Sequence, residues 1–226
     1  MILISCYYLS DNIERQKELN DTLIYNANNK YIKHIILLND KIYNLDFVKR
    51  NKKKIKQVPL YSEGKLYFSK AIEYINHHLC GENVILSNSD IYFDNSLEQL
   101  VNKFMEKKVY CLLRYEILDN GEKDIFRHFD EPRSDSQDSW IFKAPLDINL
   151  EDVHFSFGTL GCDNIFANVL YNHGYQLYNP AYDIITTHMH RTEERTYQNT
   201  ERIHGNYCLI KPDHLDAEPQ ISFMNY

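Results

Sequence analysis

The sequence predicts an α/β fold built on a mostly parallel central sheet with helices on both faces. Short uninterrupted apolar runs, among them Ile35-Ile36-Leu37-Leu38 and Val84-Ile85-Leu86, have the length and composition of strands buried on both sides. Segments of helical periodicity separate them, so strand and helix alternate along the chain. Glycine narrows the class further: it occurs 7 times in 226 residues, where average use gives about 16. No G-x-G is present, and no glycine precedes Gly64-Lys65 at the Walker A distance. The Rossmann fingerprint and the P-loop are thereby excluded, and a nucleotide bound here is held by side chains or a metal.

The elements follow in order. Met1-Ile2-Leu3-Ile4-Ser5-Cys6-Tyr7-Tyr8-Leu9 opens with a core strand. Asp11 or Asn12 then caps a helix over 13–26. The buried strand at 35–38 ends in Asn39-Asp40, at the carboxyl edge where open α/β sheets place their ligands. A basic, polar stretch leads to a helical pattern over 64–79, and the strand at 84–86 ends in Ser87-Asn88-Ser89-Asp90. A helix over 96–107 and a strand at 109–114 come next. Residues 119–138 read as a long polar loop, of the kind that carries function in compact domains. A strand at 139–142, a helix over 164–172 ending at Gly174, and a strand at 181–186 complete the pattern, followed by a polar tail. With no internal repeat or composition break, residues 1–226 read as one domain, with an amino half at 1–95, a carboxyl half at 96–190 and a tail at 191–226.

The formal charge of −7 argues against nucleic-acid binding, which depends on neutralising phosphates. Lys49-Arg50-Asn51-Lys52-Lys53-Lys54-Ile55-Lys56 is the local exception. It reads as a solvated loop or helix end, or as a small patch for peripheral contact with an anionic membrane or an acidic acceptor. The cysteines at 6, 80, 111, 162 and 208 are odd in number and form no C-x-x-C, which suits reduced thiols and a cytoplasmic protein. The apolar N-terminus lacks a basic leader, and no apolar run approaches the roughly 18 residues of a transmembrane helix.

Several clusters can carry chemistry. A strand delivering Asn88-x-Asp90 to its carboxyl end puts two oxygen-bearing side chains on one side, able to hold Mg2+ or Mn2+ against a diphosphate; a polar turn has the same spelling. In Gly161-Cys162-Asp163-Asn164, Asp163 stands at a helix start, either as an N-cap or as a carboxylate aimed into a crevice. His188 and His190 share a side if the backbone stays extended, and Asp90 is a partner for a metal between them. Asp138, before the strand with the only tryptophan, can orient or deprotonate a hydroxyl, though turn chemistry also explains it. Arg191, with Arg195 and Tyr197, can clamp a diphosphate, and Arg114 is placed with them.

In this order the segments resemble the GT-A glycosyltransferases, most closely family-2-like enzymes of bacteria and large DNA viruses, including rhamnosyltransferase-type members. The resemblance runs from Ile2 to His190 and rests on Asn88-Ser89-Asp90-Ile91, Ser136-Gln137-Asp138-Ser139-Trp140-Ile141-Phe142, Gly161-Cys162-Asp163-Asn164, and Asn179-Pro180 with His188-Met189-His190. It implies that Asn88-Ser89-Asp90 stands at the DxD motif, with Asp90 at the metal. Asp40 stands at the nucleoside-contacting acid, Asp163 at the catalytic base, and His188 or His190 at the C-terminal metal ligand. Asn88 and Cys162 depart from the family's acidic residues. The implied activity is metal-dependent, inverting hexosyl transfer from a UDP- or dTDP-sugar to a glycan hydroxyl. A retaining transferase, a sugar nucleotidyltransferase and a non-catalytic glycan- or nucleotide-binding module are the alternatives.

Overall fold

The computed structural model describes residues 1–62, 64–103, 105–189 and 202–226. Its elements, in chain order, begin with β1 (Ile2–Ser5), α1 (Ile13–Asn28), β2 (His34–Asn39), β3 (Ile55–Pro59), α2 (Phe68–His78), β4 (Asn83–Ser87) and β5 (Ile91–Phe93). They continue with β6 (Lys108–Leu112), β7 (Tyr115–Ile117), β8 (Lys123–Ile125), β9 (Arg127–His128), β10 (Glu131–Pro132) and β11 (Ser139–Lys143). The last are α3 (Cys162–Asn172), β12 (Gln176–Tyr178), β13 (Thr186–His188), β14 (Asn206–Ile210) and β15 (Ile221–Asn225).

The central sheet has seven strands in the order β12-β6-β11-β4-β1-β2-β3. Pairing is parallel from β4 through β1 and β2 to β3, and again between β12 and β6. β11 is inserted antiparallel to both of its neighbours. Period-two alternation divides the core between the two faces. Ile2, Ile4, Leu86, Trp140 and Phe142 pack on the face of α2 and α3. Leu3, Leu37, Ile85 and Ile141 pack on the other, beneath Leu19 and Leu23 of α1. Phe68, fully buried at the start of α2, stacks on Phe157 (ring centroids 3.9 Å) and meets Trp140 edge-on (5.2 Å), which ties α2 and its following loops to β11.

A four-stranded sheet, β5-β13-β7-β8, stands beside the large one. α1 holds it in place, because Asn26 donates to the Ile91 carbonyl and accepts from the Phe93 amide. Asn12, not Asp11, caps α1 through the amides of Glu14 and Arg15.

The structure corrects the expected elements at several points. α2 begins at Phe68 instead of residue 64, where the buried stripe Phe68, Ala71, Ile72 and Ile75 starts. The helix expected over 96–107 is a six-residue 3-10 helix, Asn95–Leu100, which buries Leu97 and Leu100 three residues apart. The basic stretch contains the edge strand β3, whose one lysine, Lys56, is exposed. The 119–138 loop folds into hairpins, the strand expected at 181–186 is β13 a few residues later, and the tail carries the β14–β15 hairpin. Among the described residues no helix is long and apolar enough to cross a membrane, and all five cysteines are free.

Candidate functional site

The carboxyl edge of the sheet gathers the polar chemistry. β2 is followed directly by Asp40, β4 runs into Asn88-Ser89-Asp90, and β6 leads to Arg114. Because β11 runs the other way, its amino end delivers Asp138 to the same edge, with Ser139 opposite both Ser87 and Leu112. The small sheet adds the remaining groups. His188 on β13 lies opposite Ile91 of β5 and Glu116 of β7, and Met189 donates its amide to the Asp90 carbonyl at 2.8 Å.

These side chains join in a line of alternating charge. Glu18 Oε2 accepts from Arg15 Nη1 at 3.1 Å, and Arg15 Nη2 donates to Asp90 Oδ2 at 2.5 Å. Asp90 Oδ2 lies 3.3 Å from His188 Nε2, and the other ring nitrogen, Nδ1, lies 3.0 Å from Glu116 Oε2. Glu116 Oε1 accepts from Arg114 Nε at 2.6 Å, and Arg114 Nη1 donates to Asp138 Oδ2 at 2.8 Å. Asp138 Oδ1 accepts from Asn88 Nδ2 at 2.9 Å. The Arg114 guanidinium also rests on the Phe126 ring and donates to Ser136.

Electrostatics follow from this order. Burial lowers the His188 imidazolium, but the Asp90 charge and the hydrogen bonds to Asp90 and Glu116 outweigh it, pushing the group up to about 9. Burial raises the Glu116 carboxyl, yet its bond from His188 and the Arg114 charge hold it at about 2. Burial dominates at Cys6, between the charges of Asp90 and Asp40, and its thiol is pushed up to about 12.

Asp163 sits in the first turn of α3, behind Gly161 in the left-handed conformation (φ 83°). Its Oδ2 accepts from the Gln137 amide at 3.0 Å, and its Oδ1 from Asn164 Nδ2 at 3.3 Å. Burial by the surrounding chain raises the carboxyl to about 7, with the Asp138 charge adding to it and the Gln137 amide opposing. The helix cap role does not describe it, since no side chain caps α3. Gln137 and Asp138 are consecutive, so one backbone step connects the Asp163 carboxylate to the charged line.

The structure thus joins Asn88, Asp90, Arg114, Asp138 and His188 in one contact network and sets Asp163 beside it. Ser89 sits between two of its members. Asp40 stands further along the edge, where it accepts from Tyr43 Oη at 2.6 Å. His190 and Arg191, with Arg195 and Tyr197, lie outside the described residues. Among the described residues no group of three or more His, Cys, Asp or Glu side chains is arranged around a cation. Asp90 Oδ2 and His188 Nε2 do lie side by side. That oxygen–nitrogen pair, backed by Glu116 on Nδ1, suits a divalent ion that takes few protein ligands and completes its shell with water and phosphate.

Sequence reading missed Arg15, Glu18 and Glu116. Arg15 was legible in principle, because Arg15, Glu18, Leu19, Thr22, Leu23 and Asn26 form the buried stripe of α1; a charged pair on such a stripe requires a buried partner. Glu116 carried no local pattern, since its pairing with His188 depends on strands far apart in sequence.

No protein-family model matches the chain, and no curated protein matches it in sequence. Solved structures do match. TarS residues 1–349 from S. aureus, in complex with UDP-GlcNAc, superposes with TM-score 0.53 at 14% identity, over 90% of this chain and 61% of that one. The glycosyltransferase GlyE of Streptococcus pneumoniae TIGR4 gives 0.48 at 11%, over 88% and 56%. A mannosyltransferase from Pyrobaculum calidifontis, with GDP-Man and Mn2+, gives 0.49 at 12%, over 88% and 58%. The chain spans somewhat under two thirds of the length of these three structures. With its parallel sheet, the single antiparallel strand β11 and the small sheet at its carboxyl edge, the chain has the GT-A glycosyltransferase fold.

Proposed function

We propose that this protein is an inverting glycosyltransferase that moves a hexosyl group from a nucleoside-diphosphate sugar, of UDP or dTDP type, to a hydroxyl of a glycan acceptor. One observation carries the reading: Asp90, His188, Asn88 and Asp138 meet at the carboxyl edge of the sheet, with Asp163 one backbone step away. The UDP-GlcNAc in the TarS complex supports a nucleotide sugar as donor.

The donor diphosphate lies against Asp90 and His188, with Asn88 beside them and Asp40 toward the nucleoside. Asp90 and His188 are the residues that would hold Mn2+ or Mg2+, His188 through Nε2 once that nitrogen has given up its proton. When bound, such an ion supplies a Lewis acid that offsets the charge building on the departing diphosphate. Arg15, against Asp90, adds a fixed positive charge on the same side, and Arg191 is the proposed further clamp.

Asp163 takes the proton. The acceptor oxygen bonds to the anomeric carbon as the bond to the diphosphate oxygen breaks on the opposite face, and the hydroxyl proton passes to a carboxylate oxygen of Asp163. Asp163 suits this better than Asp138, because burial raises its carboxyl to about 7, whereas Asp138 is held by the Arg114 cation. Asp138 orients those two groups. Attack opposite the leaving group inverts the anomeric configuration.

Proton NMR of the product tests the reading. A panel of UDP- and dTDP-sugars with Mn2+ and sugar acceptors is expected to give a glycoside of inverted anomeric configuration together with free nucleoside diphosphate. Retention of configuration, or a product that keeps the nucleotide, overturns it.

A further inference from the structure

His188 has two ring nitrogens, and the fold spends them differently. Nε2 faces Asp90, whereas Nδ1 faces Glu116, a residue the sequence motifs do not include. The pairing is built into the backbone, because β13 and β7 run side by side with His188 opposite Glu116. Glu116 is itself held from the other side. Its second carboxylate oxygen accepts from Arg114 Nε at 2.6 Å, and the same guanidinium reaches Asp138 at 2.8 Å. Glu116 and Arg114 therefore bridge the Asp90–His188 end of the site and the Asn88–Asp138–Gln137 group that contacts Asp163.

We propose that Glu116 is a positioning residue of the donor site: it fixes the proton of His188 on Nδ1, turns Nε2 toward Asp90, and through Arg114 sets the distance between that pair and Asp138. The inference rests on the function proposed above. A carboxylate on the far nitrogen of an imidazole sets the tautomer and ring orientation and raises the basicity of the near nitrogen, and losing such a partner weakens metal binding about 10–100-fold.

The test is the Mn2+ affinity of the whole chain in the presence of UDP, read from the electron paramagnetic resonance of free Mn2+, for wild type, Glu116→Ala and Glu116→Gln. Glu116→Ala is expected to weaken Mn2+ by about 10–100-fold, with the near-ultraviolet circular dichroism unchanged. Glu116→Gln keeps an oxygen for the Nδ1 proton but not the charge, so its loss is expected to be smaller, and this partial rescue separates positioning from mere folding. If the alanine variant does not fold, the glutamine variant alone decides. Wild-type affinity in both variants, or in glutamine alone when alanine does not fold, overturns the inference and leaves the proposed function standing. Absence of Mn2+ binding by wild type with UDP removes the metal-dependent reading itself, and this inference with it.

Discussion

At the scale of single residues, Asp163 makes the sharpest demand. Its carboxyl is raised to about 7, first by burial, so it is mostly protonated below that pH and mostly ionised above it. Only the ionised form accepts a proton, so kcat/KM for transfer is expected to rise about tenfold per pH unit below 7 and level off above it. Rates measured from pH 5 to 9 check this; a profile that falls across neutrality contradicts the role. Gly161 makes a steric demand two residues earlier. It has φ 83°, and a Cβ there would lie 1.8 Å from the Tyr207 hydroxyl, which donates to the Ile203 carbonyl. Gly161→Ala is expected to cost ~2 kcal/mol or more in urea unfolding, from backbone strain and overlap together. The sequence picked out Gly161 as part of the Asp163 segment, but Tyr207 comes from a hairpin that read as a polar tail. Asp90 and His188 were legible as possible partners, whereas the Arg15 contact to Asp90 was not, because it crosses from α1 to a strand end 75 residues away.

At the scale of elements, legibility followed local periodicity. β1, β2, β4, β6 and β11 announced themselves as apolar runs, and α1 and α3 through their stripes and caps. Short strands did so poorly or not at all: β5, β7 and β8 have three residues each, too few for alternation to register, and β13 was expected a few residues early. Yet these four form the small sheet that brings His188 to Asp90. The direction of β11 was equally unreadable, although its reversal is what delivers Asp138 to the carboxyl edge. β11 is anchored through Trp140 to the fully buried Phe68. Phe68→Ala is expected to destabilise the fold by about 3–5 kcal/mol in chemical unfolding. A cost under 1 kcal/mol contradicts the view that this aromatic contact holds α2 to the sheet.

At the scale of the whole molecule, the glycine-poor composition and the excess of acid share one explanation. Without a glycine-rich phosphate loop, and with a formal charge of −7, the proposed function requires that an anionic donor be neutralised locally, by Arg15, His188 and a cation, instead of by a basic surface. Within the basic run at 49–56, two lysines have partners of their own. Lys52 pairs with Asp46, Lys54 donates to the Asn29 carbonyl, and β3 carries Lys56 along the sheet edge. Fold class was readable from the alternation of strands and helices, because a parallel sheet covered on both faces leaves that pattern everywhere in the chain. The account rests on a nucleoside diphosphate binding at Asp90 with a divalent ion. Titration calorimetry of UDP and dTDP, each with and without Mn2+, tests it on wild type, Asp90→Ala and the closer-fitting Asp90→Asn. Binding that requires Mn2+ in wild type and falls at least tenfold in both variants is the predicted result; no binding of either nucleotide, or binding that the Asp90 variants retain in full, contradicts the account.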